Sequence, residues 1–442
     1  MTDTIYALAS GPGRAGVAVI RVSGPQAGAA LETLVGAPVP PPRTAALRRF
    51  RNGDGGVIDQ GLALWFPAPA SFTGEDCAEF HVHGGPAVVA AMAEALGACR
   101  LRAAEAGEFT RRAFANGKMD LTEAEGLADL IDAETEGQRA QALSQMTGAL
   151  KALYEGWREE LITVLAALEG EIDFPDEDDV PDHLSQTAGA PLTALVEALE
   201  AHLDDDRRGE RVRDGFVIAL IGAPNAGKSS LLNRLARRDA AIVTEIPGTT
   251  RDVVEVRLVI GGFPVILADT AGLREAADQV EAEGVRRALA RARDADLRLG
   301  LVDVSRETSP ATLTERLQPG DAMVWNKADL APAPETAPDA LRAFAVSALT
   351  GEGLDDLEAW LRSVVTERLS AREAPALSRA RHREGVTRAL GHLGAAQARL
   401  ADAPELASAE VHLALRALEG LTGRVDVEDV LDRVFSQFCI GK

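Results

Sequence analysis

Residues 216–229 read Phe-Val-Ile-Ala-Leu-Ile-Gly-Ala-Pro-Asn-Ala-Gly-Lys-Ser, and a helix-favouring stretch begins at Ser230. The apolar run Phe216 to Ile221 is typical of a buried parallel strand. The residues after it match the pattern G-x-x-x-x-G-K-S in its strand–loop–helix setting, where backbone N–H groups turn toward phosphates. Lys228 can reach the β- and γ-phosphates of a nucleotide there, and the Ser229 hydroxyl suits Mg²⁺. The stretch predicts a nucleotide site on an α/β domain; the alternative is a glycine-rich turn with an ordinary surface lysine.

Three further motifs follow in chain order and favour GTP over ATP. Asp269 comes after the apolar run Phe263 to Leu267, which places its carboxylate at a strand end near the metal. Asp329, in Asn-Lys-Ala-Asp, can accept the N1–H and 2-amino groups of guanine, which adenine does not offer. Ser347-Ala-Leu follows the run Ala343 to Val346 and would place a backbone N–H at guanine O6. The GTP-binding residues predicted from these motifs are Asn225, Ala226, Gly227, Lys228, Ser229, Ser230, Asp269, Thr270, Ala271, Gly272, Asn326, Lys327, Asp329, Ser347, Ala348 and Leu349.

A first switch loop is predicted at residues 244–252, Thr-Glu-Ile-Pro-Gly-Thr-Thr-Arg-Asp, between the P-loop helix and the next strand. A threonine there can ligate Mg²⁺ when the γ-phosphate is present. An ordinary Gly/Pro turn is the alternative. The GTP contacts predicted in this loop are Thr244, Glu245, Ile246, Pro247, Gly248, Thr249 and Thr250.

Leu273 stands where Ras-like proteins carry a glutamine that orients the attacking water. Leucine cannot position water, so hydrolysis must use another residue or be negligible. Glu281 and Glu283 are candidates, although by composition each is more often a solvated helix carboxylate.

The composition indicates a folded protein of about two to four domains. Its 442 residues are 46% hydrophobic and 26% charged, and the net charge is −22, which argues against a surface coated in basic residues for gripping nucleic acid. No run reaches the roughly 20 apolar residues of a membrane span, and the N-terminus shows no secretory signal. Cys77, Cys99 and Cys439 are too few and too widely spaced for a disulfide framework or a zinc site. We therefore expect a cytoplasmic protein with no membrane segment.

The N-terminal part of the chain alternates short strand-like runs with Gly/Pro turns. Strand-like runs at Val17 to Val22, Leu62 to Phe66 and Phe80 to Val82, with a helix at Pro86 to Cys99, predict a small α+β domain. His81 and His83 share a strand face and could bind metal, but with no third ligand in view a structural or pocket-lining role is favoured.

A helical region is predicted to begin at Asp120, which forms a capping-box pattern with Glu123. Glu169 to Asp182 resembles a solvated turn, and helical patterns return after Arg372. One helical face, interpreted as core packing, is predicted from Leu143, Met146, Leu150, Leu153, Trp157, Leu161, Val164 and Leu168. We therefore predict domains at 1–118, 119–211, 212–370 and 371–442, with the third inserted in one helical domain formed by the second and fourth.

A cluster of arginines follows the α/β unit in this acidic chain. Binding nucleic-acid phosphates and forming a solvated helix face are the two interpretations left open for it. The cluster consists of Arg372, Arg379, Arg381, Arg383 and Arg388.

Motifs outside the nucleotide site resemble those of the MnmE (TrmE) family of tRNA modification GTPases, over essentially all 442 residues. They are Ile5-Tyr-Ala-Leu-Ala, Val19-Ile-Arg-Val-Ser-Gly-Pro25, Ser71-Phe-Thr-Gly-Glu-Asp76, Glu79-Phe-His-Val-His-Gly-Gly85, Gly107-Glu-Phe-Thr-Arg-Arg-Ala-Phe114, Asn116-Gly-Lys-Met-Asp-Leu121 and Cys439-Ile-Gly-Lys442.

The resemblance implies a folate-binding, dimerising α+β domain followed by a helical domain that carries an inserted Ras-like P-loop G domain. It implies a homodimer that works with an FAD-dependent MnmG-type protein, in a heterotetramer or larger complex, on C5 of the tRNA wobble uridine. An aminomethyl or carboxymethylaminomethyl group is added with a one-carbon unit from 5-formyl- or methylene-tetrahydrofolate. Arg21, Glu79, Lys118 and Lys442 match the family's folate contacts, and Cys439 has been suggested as reactive.

The resemblance also implies potassium activation and a catalytic residue in place of the missing glutamine. Its K⁺ ligands match Asn225, Thr244, Ile246 and Thr249, its Mg²⁺ ligands match Ser229 and Thr250, and its catalytic glutamate matches Glu281. A cation beside the bridging phosphate oxygen can stabilise the charge that an arginine finger would otherwise neutralise. Leu349 is a departure, because many relatives carry lysine there.

Two rival functions are open at this point. One is a ribosome-assembly GTPase of the Era-like kind, which would carry an RNA-binding module at one end. The other is a switch that binds GTP and folate and recruits partners without chemistry. The nitrogen donor, the tRNAs used, the protein that holds the one-carbon unit, the extent of G-domain movement and the role of Cys439 are open as well.

Overall fold

The structure, a computed structural model, describes residues 3–173, 184–238, 254–269, 295–306, 311–334, 341–370, 375–425, 428–436 and 438–441. The chain divides into two compact units. The first unit contains residues 1–128, 145–184 and 403–442, and the second contains residues 129–144 and 185–402.

The described strands form two six-stranded sheets. The strands are β1 (Ile5–Leu8), β2 (Ala15–Ser23), β3 (Ala46–Arg51), β4 (Val57–Phe66), β5 (Cys77–Gly84), β6 (Arg102–Ala103), β7 (Phe216–Gly222), β8 (Val254–Ile260), β9 (Phe263–Asp269), β10 (Leu297–Asp303), β11 (Ala322–Asn326) and β12 (Arg342–Val346).

Helices join and flank these sheets in the described residues. They are α1 (Ala27–Val35), α2 (Pro86–Ala98), α3 (Glu108–Ala115), α4 (Leu121–Ile131), α5 (Glu136–Met146), α6 (Ala149–Asp173), α7 (Leu184–Leu203), α8 (Arg208–Asp214), α9 (Lys228–Arg238), α10 (Ala311–Thr314), α11 (Leu354–Leu369), α12 (Ala380–Arg399), α13 (Pro404–Thr422) and α14 (Glu428–Phe435).

The N-terminal sheet has the order β3-β4-β5-β2-β1-β6, with β1 and β6 parallel and the other pairs antiparallel. Alternate residues of its central strands, such as Ile20 and Phe80, are buried in a core with Leu31 and Leu96 from α1 and α2. Because successive strand side chains point to opposite faces, the intervening residues lie on the face away from these helices. The strands predicted around Val17, Leu62 and Phe80 and the helix from Pro86 are confirmed.

The capping box predicted at the start of α4 is formed in both directions. The Asp120 N–H donates to Glu123 Oε2 at 2.7 Å, and the Glu123 N–H donates to Asp120 Oδ1 at 2.8 Å. Two donors at the helix start are thereby satisfied by side chains, and the helical region begins where this pattern predicts it.

The helical face predicted as one stripe from Leu143 to Leu168 is interrupted. Gly148, with φ +94°, separates α5 from α6, because glycine adopts this left-handed conformation at low cost. Leu143 is 38% exposed, whereas Leu161 and Leu168 on α6 are buried. The interpretation of Leu143 as core was therefore wrong. The predicted turn from Glu169 was wrong in its first part, since α6 continues to Asp173; residues 174–183 lie outside the described ranges.

The second sheet has the order β12-β11-β10-β7-β9-β8, in which β8 pairs antiparallel with β9 and the other pairs are parallel. Its core strands are buried on both faces, as the continuous apolar runs predict. The carboxyl ends of β7, β9, β10 and β11 carry Gly222, Asp269, Asp303 and Asn326. These ends meet at one edge of the sheet, the usual ligand-binding edge of an open α/β fold. The chain is thus multidomain, α/β plus all-α, with a Ras-like P-loop unit between helical segments.

Two members of the predicted arginine cluster are committed to ion pairs inside the second unit. Arg379 Nη2 lies 2.6 Å from Asp129 Oδ1, and Arg383 Nη2 lies 2.5 Å from Asp205 Oδ1. Their side chains are only 11% and 20% exposed, so the interpretation as a solvated helix face is wrong for these two residues, whereas contact with tRNA stays a prediction. Arg372 lies outside the described residues.

No helix in the described part of the chain is long and apolar enough to cross a membrane.

Candidate functional site

The loop between β7 and α9 has the backbone conformation of a phosphate cradle. Asn225 and Gly227 adopt φ of +64° and +96°. A Cβ on Gly227 would overlap the side-chain amide of Asn326, so the close approach requires glycine. The turn and the N-terminus of α9 point backbone N–H groups at the position an anion would take.

Lys228 is held at the start of α9 with its ammonium group inside this loop. Its Nζ donates to the carbonyl oxygens of Gly222 at 2.9 Å and Ala223 at 3.0 Å, and the residue is 5% exposed. Burial lowers the pKa of Lys228, and the charge of Asp269 opposes that shift. A buried ammonium held by two carbonyls is prepared to neutralise phosphate charge.

Ser229 and Asp269 bring two oxygen donors together beside the loop. The Ser229 hydroxyl donates to Asp269 Oδ2 at 2.7 Å, although the two residues lie on different elements, α9 and the end of β9. Hydroxyl and carboxylate oxygens are the donors that Mg²⁺ prefers. The structure therefore brings together two residues that the sequence analysis placed separately near a metal ion.

Asn326 connects the phosphate loop to the base-binding loops. Its Nδ2 donates to Ala226 O at 2.8 Å, its Oδ1 accepts from the Ala348 N–H at 3.1 Å, and the residue is 1% exposed. An open cleft of about 500 Å³ lies here, lined by Gly227, Ser230, Asn326, Lys327, Asp329 and Ser347 among others. Leu349 also lines this cleft and is 79% exposed, so it offers apolar surface there.

Several predicted residues lie outside the described residues. They are Thr244, Glu245, Ile246, Pro247, Gly248, Thr249, Thr250, Thr270, Ala271, Gly272, Leu273, Glu281, Glu283 and Lys442. Their assignment stays a prediction from sequence.

A second polar site lies on the N-terminal sheet, on the face away from α1 and α2. Arg21 on β2 and Glu79 on β5 are register partners, and Arg21 Nη2 lies 2.9 Å from Glu79 Oε1. His81 Nε2 lies 3.3 Å from the other oxygen of Glu79. The Arg21 guanidinium also sits 5.0 Å from the ring centre of Phe72 and 5.8 Å from that of Phe109. Charge and aromatic surface are thus combined in one half-buried place.

Lys118 and the C-terminal tail lie in the same unit. Lys118 Nζ donates to Pro69 O at 3.1 Å. Ile440 forms a β-bridge with Ala106, and Gly441 packs against the carbonyl of Leu8, the register neighbour of Ile20 beside Arg21. The residue before Lys442 therefore reaches the strand next to Arg21. Cys439 is exposed, and its surroundings assign it no role.

The two histidines of β5 are each paired with a carboxylate. His83 Nδ1 lies 2.9 Å from Asp59 Oδ1, whereas His81 contacts Glu79. Across the described residues, no group of three His, Cys, Asp or Glu side chains is arranged to hold a metal ion.

Sequence analysis missed two charged groups that support these sites. Arg112 is 1% exposed and lies within 3.1 Å of carboxylate oxygens of Asp3, Glu75 and Glu108. Asp303 ends β10 and lies 2.6 Å from Lys327 Nζ. An isolated Asp or Arg carries no spacing signal, so only the position of Asp303 at a strand end, next to the predicted motifs, could have suggested it.

Two family models match the chain almost end to end. The model described as "GTP-binding protein TrmE N-terminus" matches residues 4–118, and the "MnmE helical domain" model matches residues 121–439.

The full-length relatives described next share one name. The tRNA modification GTPase MnmE of Maricaulis maris (strain MCS10) is 63% identical over 442 residues, covering 100% of both chains. The protein of the same description from Parvibaculum lavamentivorans is 58% identical over 447 residues, again covering 100% of both. Among solved structures, the G domain of the T. maritima FeoB iron transporter aligns with 35% of this chain and 98% of its own, at 24% identity and a TM-score of 0.28.

Proposed function

The chain belongs to the MnmE family of tRNA modification GTPases, and from this premise we propose that it binds and hydrolyses GTP to modify the wobble uridine of tRNA. The observation that carries the proposal is the convergence of Lys228, the Ser229–Asp269 pair and Asn326 at one sheet edge. Phosphate, metal and base functions need these groups within one nucleotide length of each other.

Each side of the site has a chemical role in this proposal. The N–H groups of the loop and Lys228 hold the phosphates, while Asp329 and a backbone N–H of the Ser347-Ala-Leu segment select the edge of guanine. Ser229, with Thr250, would ligate Mg²⁺, and the hydroxyl–carboxylate pair at 2.7 Å fits such an ion. The ion would supply charge neutralisation at the phosphate oxygens.

Potassium dependence is the next part of the proposal. Asn225, with Thr244, Ile246 and Thr249, would hold K⁺ beside the phosphates, and Glu281 would orient the attacking water. The position of Asn225 within the phosphate loop, between β7 and α9, supports this. The ion would supply the positive charge that an arginine finger supplies elsewhere.

The N-terminal site is proposed to hold a tetrahydrofolate derivative, 5-formyl- or methylene-tetrahydrofolate. Glu79 offers a carboxylate that suits a ring edge bearing N–H donors, and Arg21 and Lys118 offer positive charge for carboxylates. Lys442 would join them, which the approach of Gly441 to Leu8 supports. We further propose that the protein is a cytoplasmic homodimer. We also propose that it works with an FAD-dependent MnmG-type protein, because a redox step in the tRNA modification would need an electron carrier.

The experiment that tests this function is mass spectrometry of tRNA nucleosides from cells that lack the protein. The cells are complemented with wild type, with Lys228→Ala, or with Lys151→Ala as a matched control, since Lys151 pairs with Glu123 far along the chain from the loop. We expect C5-modified wobble uridines to return with wild type and Lys151→Ala but not with Lys228→Ala. If the nucleoside profile is the same in cells that lack the protein and in complemented cells, the proposed tRNA function is wrong and the ribosome-assembly alternative is favoured.

A further inference from the structure

Lys327 is oriented by a group outside the recognised nucleotide motifs. It follows β11 with a φ of +66°, an uncommon conformation for a non-glycine residue. Its Nζ lies 2.6 Å from Asp303 Oδ2 at the end of the neighbouring parallel strand β10. The lysine therefore turns back along the sheet edge, with its side chain lining the cleft.

Asp303 is itself held in place. The residue is 5% exposed, and its Oδ1 accepts hydrogen bonds from the Ser305 N–H at 3.0 Å and the Ser305 hydroxyl at 2.5 Å. Although burial acts to raise it, the pKa of Asp303 is lowered by hydrogen bonds from Lys327 and Ser305. The carboxylate is thus charged and fixed before any ligand arrives.

We propose that Asp303 is a positioning residue for guanine-nucleotide recognition, acting through Lys327. A base whose edge meets Asp329 lies in the cleft between the two loops that follow β11 and β12. The methylene groups of Lys327 form part of the cleft wall. They present a flat surface to the base only if the ammonium group at the end of the side chain is held in place. Asp303 supplies that anchor, so binding loses less side-chain entropy.

The exposed Leu349 makes this anchor more important in this chain. Its side chain is 79% exposed at the cleft and carries no charge with which to fix itself over a base. Lys327, by contrast, has a buried partner and a defined direction. Lys327, and not Leu349, therefore provides the preorganised surface for a base in this cleft.

This inference rests on the proposed function, and the test separates the two. The full-length chain is titrated with a fluorescent GDP analogue as wild type, Asp303→Asn, Lys327→Met and the double variant, which together form a double-mutant cycle. Asp321→Asn is the matched control, because Asp321 is also a buried carboxylate of this sheet but bonds Arg298 and Gln318 backbone N–H groups near the opposite strand ends.

We expect Asp303→Asn to raise the Kd for GDP about fivefold, as for a partly lost charge-assisted hydrogen bond, with kcat at saturating GTP little changed. In the Lys327→Met background the same change should have no further effect, whereas a purely structural role would lower affinity in both backgrounds. Ser305→Ala should give a smaller loss of GDP affinity, which should also disappear in the Lys327→Met background. This variant replaces Asp303→Asn in the test if Asp303→Asn does not fold.

Unchanged affinity for Asp303→Asn, or a loss of equal size in the Lys327→Met background, would overturn the inference while leaving GTP binding intact. A wild-type chain that binds no GDP would instead overturn the proposed function.

Discussion

Glu79 links two side chains of the N-terminal polar site, since its carboxylate contacts both Arg21 and His81. Glu79→Gln keeps the shape of the side chain and removes its charge. We expect tetrahydrofolate binding to weaken about tenfold, because a hydrogen bond to a charged group contributes about 1.5 kcal/mol. Isothermal titration calorimetry with 5-formyl-tetrahydrofolate measures this change in affinity.

His83→Gln is the control for this change, since it alters the same strand face at a residue paired with Asp59 instead. Equal affinities for wild type and Glu79→Gln would exclude Glu79 from the folate site.

His202 makes the stability of the second unit depend on pH. It is 6% exposed, and burial lowers its pKa from 6.5 to about 4, with Arg383 and Arg208 adding to the shift and Asp205 opposing it. The unfolded chain takes up a proton as the pH falls through 6.5, whereas the folded chain does so only near 4. The stabilisation is therefore present above pH 6.5 and is lost between that pH and 4, by roughly 3 kcal/mol in all.

Urea unfolding at about pH 7 and pH 5 tests this. Between these two pH values we expect wild type to lose about 2 kcal/mol more of its unfolding free energy than His202→Gln does. His412→Gln, at an imidazole whose side chain is 53% exposed, is the control and should keep the wild-type pH dependence. The prediction is wrong if His202→Gln loses as much stability on acidification as wild type does.

Helix α8 is the element through which the chain enters the P-loop sheet, and two arginines of its last turn form ion pairs. Arg211 lies 2.6 Å from Asp296, whose other oxygen accepts from the Val217 N–H at the start of β7. Arg213 lies 3.2 Å from Asp129, and the same Asp129 oxygen lies 2.6 Å from Arg379, beyond the other end of the sheet segment. One carboxylate thus joins the incoming and outgoing chain.

Asp129→Asn leaves two arginines without that charge, and the Asp129 side chain is only 15% exposed. We expect the second unit to lose about 2 kcal/mol of unfolding free energy, somewhat below the cost of breaking a fully buried pair. Urea unfolding monitored by hydrogen exchange in β7 and β10 measures the loss. Asp204→Asn, at an exposed residue shortly before α8, should cost little; equal stabilities of both variants would show that Asp129 does not join these segments.

The whole molecule is expected to respond to the monovalent cation in the buffer. Under the proposed function, a cation held at Asn225 stabilises charge that develops between the phosphates. We expect GTP hydrolysis about tenfold faster in KCl than in NaCl at equal ionic strength, which corresponds to about 1.4 kcal/mol of barrier. Steady-state phosphate release measures both rates, and equal rates would exclude potassium activation.

Glu281→Ala tests the other half of the catalytic proposal in the same assay. Hydrolysis should fall sharply while GDP affinity stays at the wild-type value, since the residue is proposed to orient water and not to hold the nucleotide. Loss of affinity along with rate would point to a structural role for Glu281.

The sequence alone predicted the parts of this protein that depend on neighbouring residues. The strand from Phe216, the loop to Gly227 and the helix from Lys228 form a continuous segment, so apolar run, glycine and helix start indicate it together. The capping box of Asp120 and Glu123 is local in the same way. Motif residues at strand ends were brought together because parallel strands end at one edge.

Only the tertiary structure determined which distant charges meet. Lys327 and Asp303 are 24 residues apart, and Arg379 and Asp129 are 250 apart, so no periodicity connects them. Arg379 and Arg383 therefore seemed available for RNA and proved to be ion-paired. The reason is physical: a buried charge needs a compensating partner, and packing, not spacing along the chain, selects which partner lies within reach.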